Sequence, residues 1–369
     1  MVNLKNKKVI SVVGARPNFM KVAPIDRAFA EYTPNIEHII VHTGQHYDKN
    51  MSDAFFQDLE MPDPKYFLGI GSGSHSEQTA KVMVAFEKIL TSEKPDLVIV
   101  VGDVNSTIAC TLTAVKMHIK VAHVESGLRS FDRKMPEEIN RMATDAICDY
   151  CFVTENAGRK HLQESNFPKD KIFFVGNTMI DSQVYALGKI NDNILEKYNL
   201  EKNNYSLLTI HRPSNVDKKE KLEMLVDIFS ELAKKIELVF PIHPRTLKNL
   251  EKFDLLEKFN NIENIVKTEP AGYLDFLSLM KNSKVVITDS GGIQEETTAL
   301  GVQCLTLREN TERPSTIEIG TNQLIKLNKN AINLAVEDIL NNKIKNGTVP
   351  PLWDGKAAKR IVNKINEII

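Results

Sequence analysis

Short apolar runs closed by glycine, proline or small polar residues recur along the chain, and the stretches between them carry helical spacing. In the first half the runs fall at residues 8–13, 36–42, 97–101, 120–124, 150–153 and 172–175. Each reads as a strand. The run at 97–101 is apolar throughout, as expected of a strand buried on both faces. Pro17 and Pro136 are well placed to open helices, residues 77–90 show helical spacing, and residues 63–76, rich in Gly, Ser and Pro, read as a loop. Residues 181–204 are polar, helical and then loose, as in a link between domains. A second series of strands follows at 206–210, 237–242, 264–267, 284–288 and 302–307, and 355–369 reads as a closing amphipathic helix. Strands alternating with helices through both halves predict an α/β chain with two doubly wound parallel sheets.

In open α/β sheets, ligands bind beyond the carboxyl ends of the strands. The polar clusters of this chain fall there: Arg16, Gln45 with His46, Asp103, Glu125, His211 with Arg212, His243 and Ser290. Turn chemistry alone favours Gly, Asn and Asp, so Arg, His and Glu at these ends favour a ligand site. His42, inside its strand, reads as a satisfied core histidine, and Lys21, early in a helix, is equally a surface cation or a ligand to an anion. Asp103, Glu125 and Glu137 form a set of carboxylates in the first half, suited to acid–base work.

The second half is cationic at its strand ends. The apolar run Val285, Val286, Ile287 passes through Asp289 into Ser290, Gly291 and Gly292 at a helix start, with Glu296 about one turn further on. Free backbone N–H groups at such a start, with the helix dipole, bind phosphate; an ordinary capped helix has the same sequence, and both readings stand. His211 beside Arg212 favours phosphate contact. The segment from Arg308 to Pro314, which includes Arg313, fits either a mobile loop closing over a diphosphate or an exposed turn.

Composition narrows the class. The 369 residues, 42% apolar and 26% charged, suffice for two domains. A formal net charge of −1 argues against a nucleic-acid or acidic-membrane partner. Cys148 and Cys151 make a C-x-x-C without a second pair at metal spacing, so they and Cys110 and Cys304 read as reduced core thiols. No run reaches the length of a membrane span and no secretory cleavage pattern follows the basic start, which leads us to expect a cytoplasmic protein.

Several motifs stand in one order: Gly14-Ala15-Arg16-Pro17, His42-Thr43-Gly44-Gln45-His46, Gly102-Asp103, the segment from His123 to Arg129, that from Pro136 to Arg141, that from Asp289 to Glu296, and Thr311-Glu312-Arg313-Pro314. Together they resemble the non-hydrolysing UDP-N-acetylglucosamine 2-epimerases over nearly the whole chain. The resemblance implies a GT-B-like fold, two Rossmann-like domains around an interdomain cleft, with residues 1–182 plus 355–369 in one domain and 183–354 in the other. It implies interconversion of UDP-GlcNAc and UDP-ManNAc through 2-acetamidoglucal, no nicotinamide cofactor, no obligatory metal, and a homodimer. Asp103, Glu125, Glu137 and His211 match catalytic positions. Arg16, Lys21, Arg141, Arg212, His243, Ser290, Gly291, Gly292, Glu296 and Arg313 match positions that bind the UDP-sugar. Gln45 and His46 match a second, activating site, although Tyr47-Asp48 and the Gly/Ser-rich stretch 68–75 depart from the bacterial pattern there. That stretch also resembles relatives acting on UDP-diacetamido uronic acids. A GT-B glycosyltransferase, a hydrolysing epimerase and a non-catalytic nucleotide-sugar binder are the competing functions.

Overall fold

The computed structural model describes residues 7–44 and 60–369, with the backbone alone for Arg16; Gln45 and His46 lie outside the described residues. The chain divides into two units, residues 1–185 with 351–369, and residues 186–350. Both are built from parallel strands, because each apolar run is followed by a crossover helix.

In the first unit the described strands are β1 (Lys7–Val13), β2 (Ile36–His42), β3 (Tyr66–Phe67), β4 (Leu97–Val101), β5 (Lys120–Val124), β6 (Tyr150–Val153) and β7 (Ile172–Phe174). Their order across the sheet is β3-β2-β1-β4-β5-β6-β7, all parallel. β4 is buried at every position, and Val98 and Val100 on one face pack with Phe86, Leu90 and Ala109 of the covering helices. The sequence reads 63–76 as a loop. The structure places the two-residue edge strand β3 inside it and starts the next helix at His75, earlier than the apolar spacing suggests. Ser74 caps that helix reciprocally with Glu77, so the start is set by polar rather than apolar residues. The helix Ala357–Ile368 packs on the helix Arg16–Tyr32, and Asp181 accepts hydrogen bonds from the backbone N–H groups of Ala357 (3.1 Å) and Ala358 (2.7 Å) at its start.

In the second unit the described strands are β8 (Tyr205–Thr209), β9 (Glu237–Pro241), β10 (Ile265–Thr268), β11 (Val285–Thr288), β12 (Gln303–Thr306) and β13 (Asn322–Leu324). Their order is β10-β9-β8-β11-β12-β13, again parallel. Leu208, Phe240, Ile287 and Leu305 meet Phe229 and Leu225 of the helix Lys219–Leu232 in one apolar cluster.

Numbered within its own unit, each sheet has the doubly wound order in which strand succession reverses between the first and fourth strands. The reversals fall between β1 and β4 and between β8 and β11. Helices leave such a pair on opposite faces, so the turns beyond the strand ends part and leave a crevice at each switch point.

Candidate active site

The first switch point is fixed by Asn18 and Gly14. Asn18, early in the helix Arg16–Tyr32, accepts from the N–H groups of Gly14 (3.1 Å) and Ala15 (2.9 Å) and donates to the Val101 carbonyl at the end of β4 (3.1 Å). A Cβ on Gly14 would sit 2.4 Å from Ser106 Oγ, so the close approach of the turns requires glycine. One helical turn past Asn18, Lys21 points its ammonium to Glu125 Oε2 at 2.5 Å. Both side chains are buried, at 6% and 2% exposure. Glu125 follows β5 with φ +66°, a backbone conformation that side chains other than glycine adopt at a cost of about 1–2 kcal/mol.

Asp103 follows β4 and Gly102, and its carboxylate is held by the Arg141 guanidinium. Asn140 donates to the Asp103 carbonyl at 2.9 Å. Arg141 reaches back to Glu138 at 3.3 Å, and Glu138 accepts from Ser130 N–H (2.8 Å), the Ser130 hydroxyl (2.9 Å) and Phe131 N–H (3.1 Å). Glu138, Arg141 and Asp145 stand at i, i+3 and i+7 of the helix Pro136–Ile147, which places them on one face. Glu137 lies next to that stripe in the first turn, exposed, with no hydrogen bond or ion pair among the described residues. Glu138 and Asp145 are thus members of the site's framework that reading strand ends does not find; the helical spacing of charged residues behind Pro136 is the signal that would.

The second switch point is organised by Asp289. It is wholly buried, and accepts from the backbone N–H groups of His211 (3.1 Å) and Arg212 (2.9 Å) and from the Asn215 amide (3.1 Å). This bonding turns the segment after β8 across the end of β11. The His211 ring sits 3.2 Å from an Asp289 oxygen through Nδ1 and stacks on His243 with centroids 5.1 Å apart. Burial lowers the His211 pKa; Asp289 pulls it up, and the charges of Arg212 and Arg245 push it down again. His243 caps the helix Pro244–Lys252, accepting from Arg245 N–H at 3.1 Å.

Ser290 is the N-cap residue of the helix Gly291–Leu300, and its side chain makes no capping bond. The start of this helix therefore keeps backbone donors that no side chain of its own cap uses. Glu296 is buried and accepts from the Tyr273 hydroxyl at 2.8 Å. The segment 308–314 is not an exposed turn: its arginines and Glu312 are buried and paired with one another. Arg308 pairs with Glu312 at 2.9 Å, and Arg313 pairs with Glu312 and, at 2.9 Å, with Glu295. A Cβ on Gly291 would lie 2.8 Å from an Arg313 nitrogen, so the segment is seated on the helix start itself. Of its residues only Glu309 is exposed.

The structure thus brings Lys21, Asp103, Glu125 and Arg141 together at the rim of the first sheet, with Glu137 on the adjoining helix. It brings His211, Arg212, His243, Ser290, Gly291, Gly292, Glu296 and Arg313 together at the rim of the second. Among the described residues no group of His, Cys, Asp and Glu is arranged to hold a metal ion, and no helix is long and apolar enough to cross a membrane. Cys148 and Cys151 are buried free thiols with sulfurs 3.5 Å apart; each other's proximity and burial raise the Cys148 pKa.

The family profile described as UDP-N-acetylglucosamine 2-epimerase matches residues 29–366. The UDP-N-acetylglucosamine 2-epimerase of Methanocaldococcus jannaschii is 45% identical over 361 residues, 96% of this chain and 98% of that protein. The crystal structure of the Methanocaldococcus jannaschii UDP-GlcNAc 2-epimerase in complex with UDP-GlcNAc and UDP superposes with a TM-score of 0.89 at 45% identity, covering 98% of this chain and 99% of that one. The UDP-2,3-diacetamido-2,3-dideoxy-D-glucuronate 2-epimerase of Pseudomonas aeruginosa is 37% identical over 321 residues, 86% of this chain and 88% of that protein. The chain shares the GT-B-like fold of the solved Methanocaldococcus jannaschii structure, with its two parallel sheets. The chain belongs to the UDP-N-acetylglucosamine 2-epimerase family of isomerases.

Proposed function

We propose that this protein inverts carbon 2 of UDP-GlcNAc, interconverting it with UDP-ManNAc. The observation that carries the reading is the pair of cation-held carboxylates at one switch point, buried Glu125 against Lys21 and half-buried Asp103 against Arg141, in a chain of this family. Carbon 2 has no neighbouring carbonyl, so its hydrogen is barely acidic in the resting sugar. When the bond from carbon 1 to the diphosphate oxygen breaks, the electron pair leaves with UDP and the positive charge at carbon 1 acidifies that hydrogen. A carboxylate takes the proton, and the C–H electrons become the double bond of 2-acetamidoglucal. Return of a proton to the opposite face, with UDP adding back to carbon 1, completes the inversion. Two faces require at least two acid–base groups, and Asp103, Glu125 and Glu137 are the candidates.

The second unit supplies the complementary chemistry. A departing diphosphate needs preorganised donors, and His211, Arg212 and the N–H groups at the Gly291–Leu300 helix start are of that kind. Glu296 is suited to ribose hydroxyls and Arg313 to holding Gly291 in place. Arg16 joins the cations, and Gln45 with His46 stands as the candidate second site. We also propose a homodimer, as the family resemblance implies. The 37% identity to the Pseudomonas enzyme favours a second reading, the same reaction on a UDP-diacetamido uronic acid.

Incubation in heavy water with each sugar nucleotide tests the proposal. Deuterium at carbon 2 with intact UDP-ManNAc is expected from UDP-GlcNAc. Retained hydrogen would sink the epimerase reading in favour of a transferase, and free ManNAc would mark a hydrolysing enzyme.

A further inference from the structure

Behind the two carboxylate turns lies a buried chain of hydrogen bonds that the proposed chemistry does not itself use. His123 is on β5, fully enclosed. Its Nε2 is 2.8 Å from the Gly102 carbonyl and its Nδ1 is 2.7 Å from an Asp145 oxygen. A carbonyl can only accept, which places a hydrogen on Nε2. The other Asp145 oxygen accepts from Gly127 N–H (3.1 Å) and from Arg129 (2.6 Å). Burial alone would push the Asp145 pKa up, but the bonds from His123 and Arg129 bring it below the usual carboxylate value.

The two ends of this chain are the residues that flank the reacting groups. Gly102 immediately precedes Asp103, and it is pinned through both backbone groups: its carbonyl by His123 and its N–H by the Val124 carbonyl at 3.0 Å. Gly127 stands two residues after Glu125, at φ +76°, with the Gly158 carbonyl 2.3 Å from where a Cβ would be. Gly102 and Gly127 take up positive φ freely, as glycines do, whereas Glu125 at φ +66° does not, so its turn at the end of β5 is a conformation that neighbouring contacts must impose. Enclosing an imidazole, a carboxylate and a guanidinium carries a desolvation cost that apolar packing avoids, and Val121, two residues back on the same face of β5, is apolar and fully buried.

We propose that His123 and Asp145 are positioning residues for the reaction, fixing Asp103 through the Gly102 carbonyl and Glu125 through the Gly127 amide. The inference rests on the acid–base roles proposed for those two carboxylates. It predicts that loss of the chain harms turnover and spares substrate binding, because misplacing an acid–base group by about 1 Å costs on the order of 100-fold in rate.

The test uses the full chain. For the wild type, H123A, H123Q and D145N, one measures kcat and KM of deuterium uptake at carbon 2 of UDP-GlcNAc in heavy water, UDP affinity by calorimetry, and the thermal midpoint. In H123A, kcat is expected to fall about 100-fold with KM and UDP affinity within ~2-fold of wild type. H123Q, whose amide N–H can reach the Gly102 carbonyl, recovers about 10-fold of that loss. D145N lowers kcat with KM unchanged. Unchanged kcat in folded variants overturns the proposal, and so does a parallel fall of kcat, affinity and midpoint that H123Q does not relieve. Should H123A fail to fold, H123Q and D145N decide in its place: wild-type kcat in both overturns the assignment. A wild-type chain that takes up no deuterium overturns the proposed function, and this inference with it; an active wild type with an equally active H123A overturns this inference alone.

Discussion

The Lys21 ammonium lies 2.5 Å from Glu125 Oε2, and neither side chain is more than 6% exposed. Removing one member strands the other charge in the interior, which typically costs about 3–5 kcal/mol. Lys21→Met is therefore expected to lower stability by about 3 kcal/mol, measured by urea unfolding. Glu125→Gln also removes the counter-charge of Lys21, but its amide oxygen still accepts from the ammonium, so it should fold with a smaller loss of stability and lower carbon 2 exchange by about 100-fold or more. A folded Glu125→Gln enzyme with normal exchange would remove Glu125 from the mechanism.

Asp103→Asn separates chemistry from nucleotide binding. Asp103 belongs to the first unit, whereas His211, Arg212 and the Gly291–Leu300 helix start, assigned to the diphosphate, belong to the second. Turnover is expected to drop about 100-fold or more, while calorimetry with UDP gives the wild-type affinity. Weakened UDP binding with preserved turnover would reverse the assignment.

His211→Ala should weaken UDP-GlcNAc binding, and the effect should depend on pH. Burial lowers the His211 pKa below its ordinary value of 6.5, so at pH 7 the ring is neutral and it gains charge only as the medium becomes more acidic. A charged ring donates more strongly to a diphosphate. Affinity of the wild type is accordingly expected to rise as pH falls below 6.5, and that rise should vanish in the variant. Titration calorimetry between pH 7.5 and about 5.5 checks this, and a pH-independent wild type would count against the role.

Glu93 marks an acid limit on stability. The Lys65 and Lys8 ammonium groups and the Tyr66 hydroxyl hold its pKa down at about 2, from an ordinary 4.5. A lowered carboxylate pKa contributes stability above the unfolded value, and that contribution is lost as pH falls through 4.5 toward 2. Glu93→Gln should flatten the fall of the thermal midpoint across that window. An unaltered pH profile in the variant would assign the acid sensitivity elsewhere.

Much of this arrangement can be read from the residues, and what cannot has a physical cause. β4 is an unbroken apolar run, and a strand covered on both faces needs one. Asp103, Glu125, His211 and Ser290 are legible because polar groups directly after such runs have few places to be other than a sheet's carboxyl rim. β13, reading Asn-Gln-Leu, and β3, only Tyr66–Phe67, carry no such run: each is an edge strand whose pairing is decided by its neighbour. The segment 308–314 is rich in charge, which reads as solvent exposure until its partners are known. Its decisive partner, Glu295, comes from an earlier helix, so no local pattern announces the pairing. The chain from Gly102 through His123 to Asp145 is long-range in the same way, joining residues 21 and 22 positions apart.

The docking of the helix Ala357–Ile368 on Arg16–Tyr32, capped by Asp181, has a consequence for synthesis. The ribosome emits residues 1–185 first but releases their closing helix only after all of 186–350 has been made. At ordinary elongation rates that interval is on the order of ten to thirty seconds. Throughout it, the Arg16–Tyr32 surface awaits its cover and nascent chains stalled before residue 351 should be cut there by protease, whereas finished chains resist. Resistance of the stalled chains would mean that the early segment closes without its last helix.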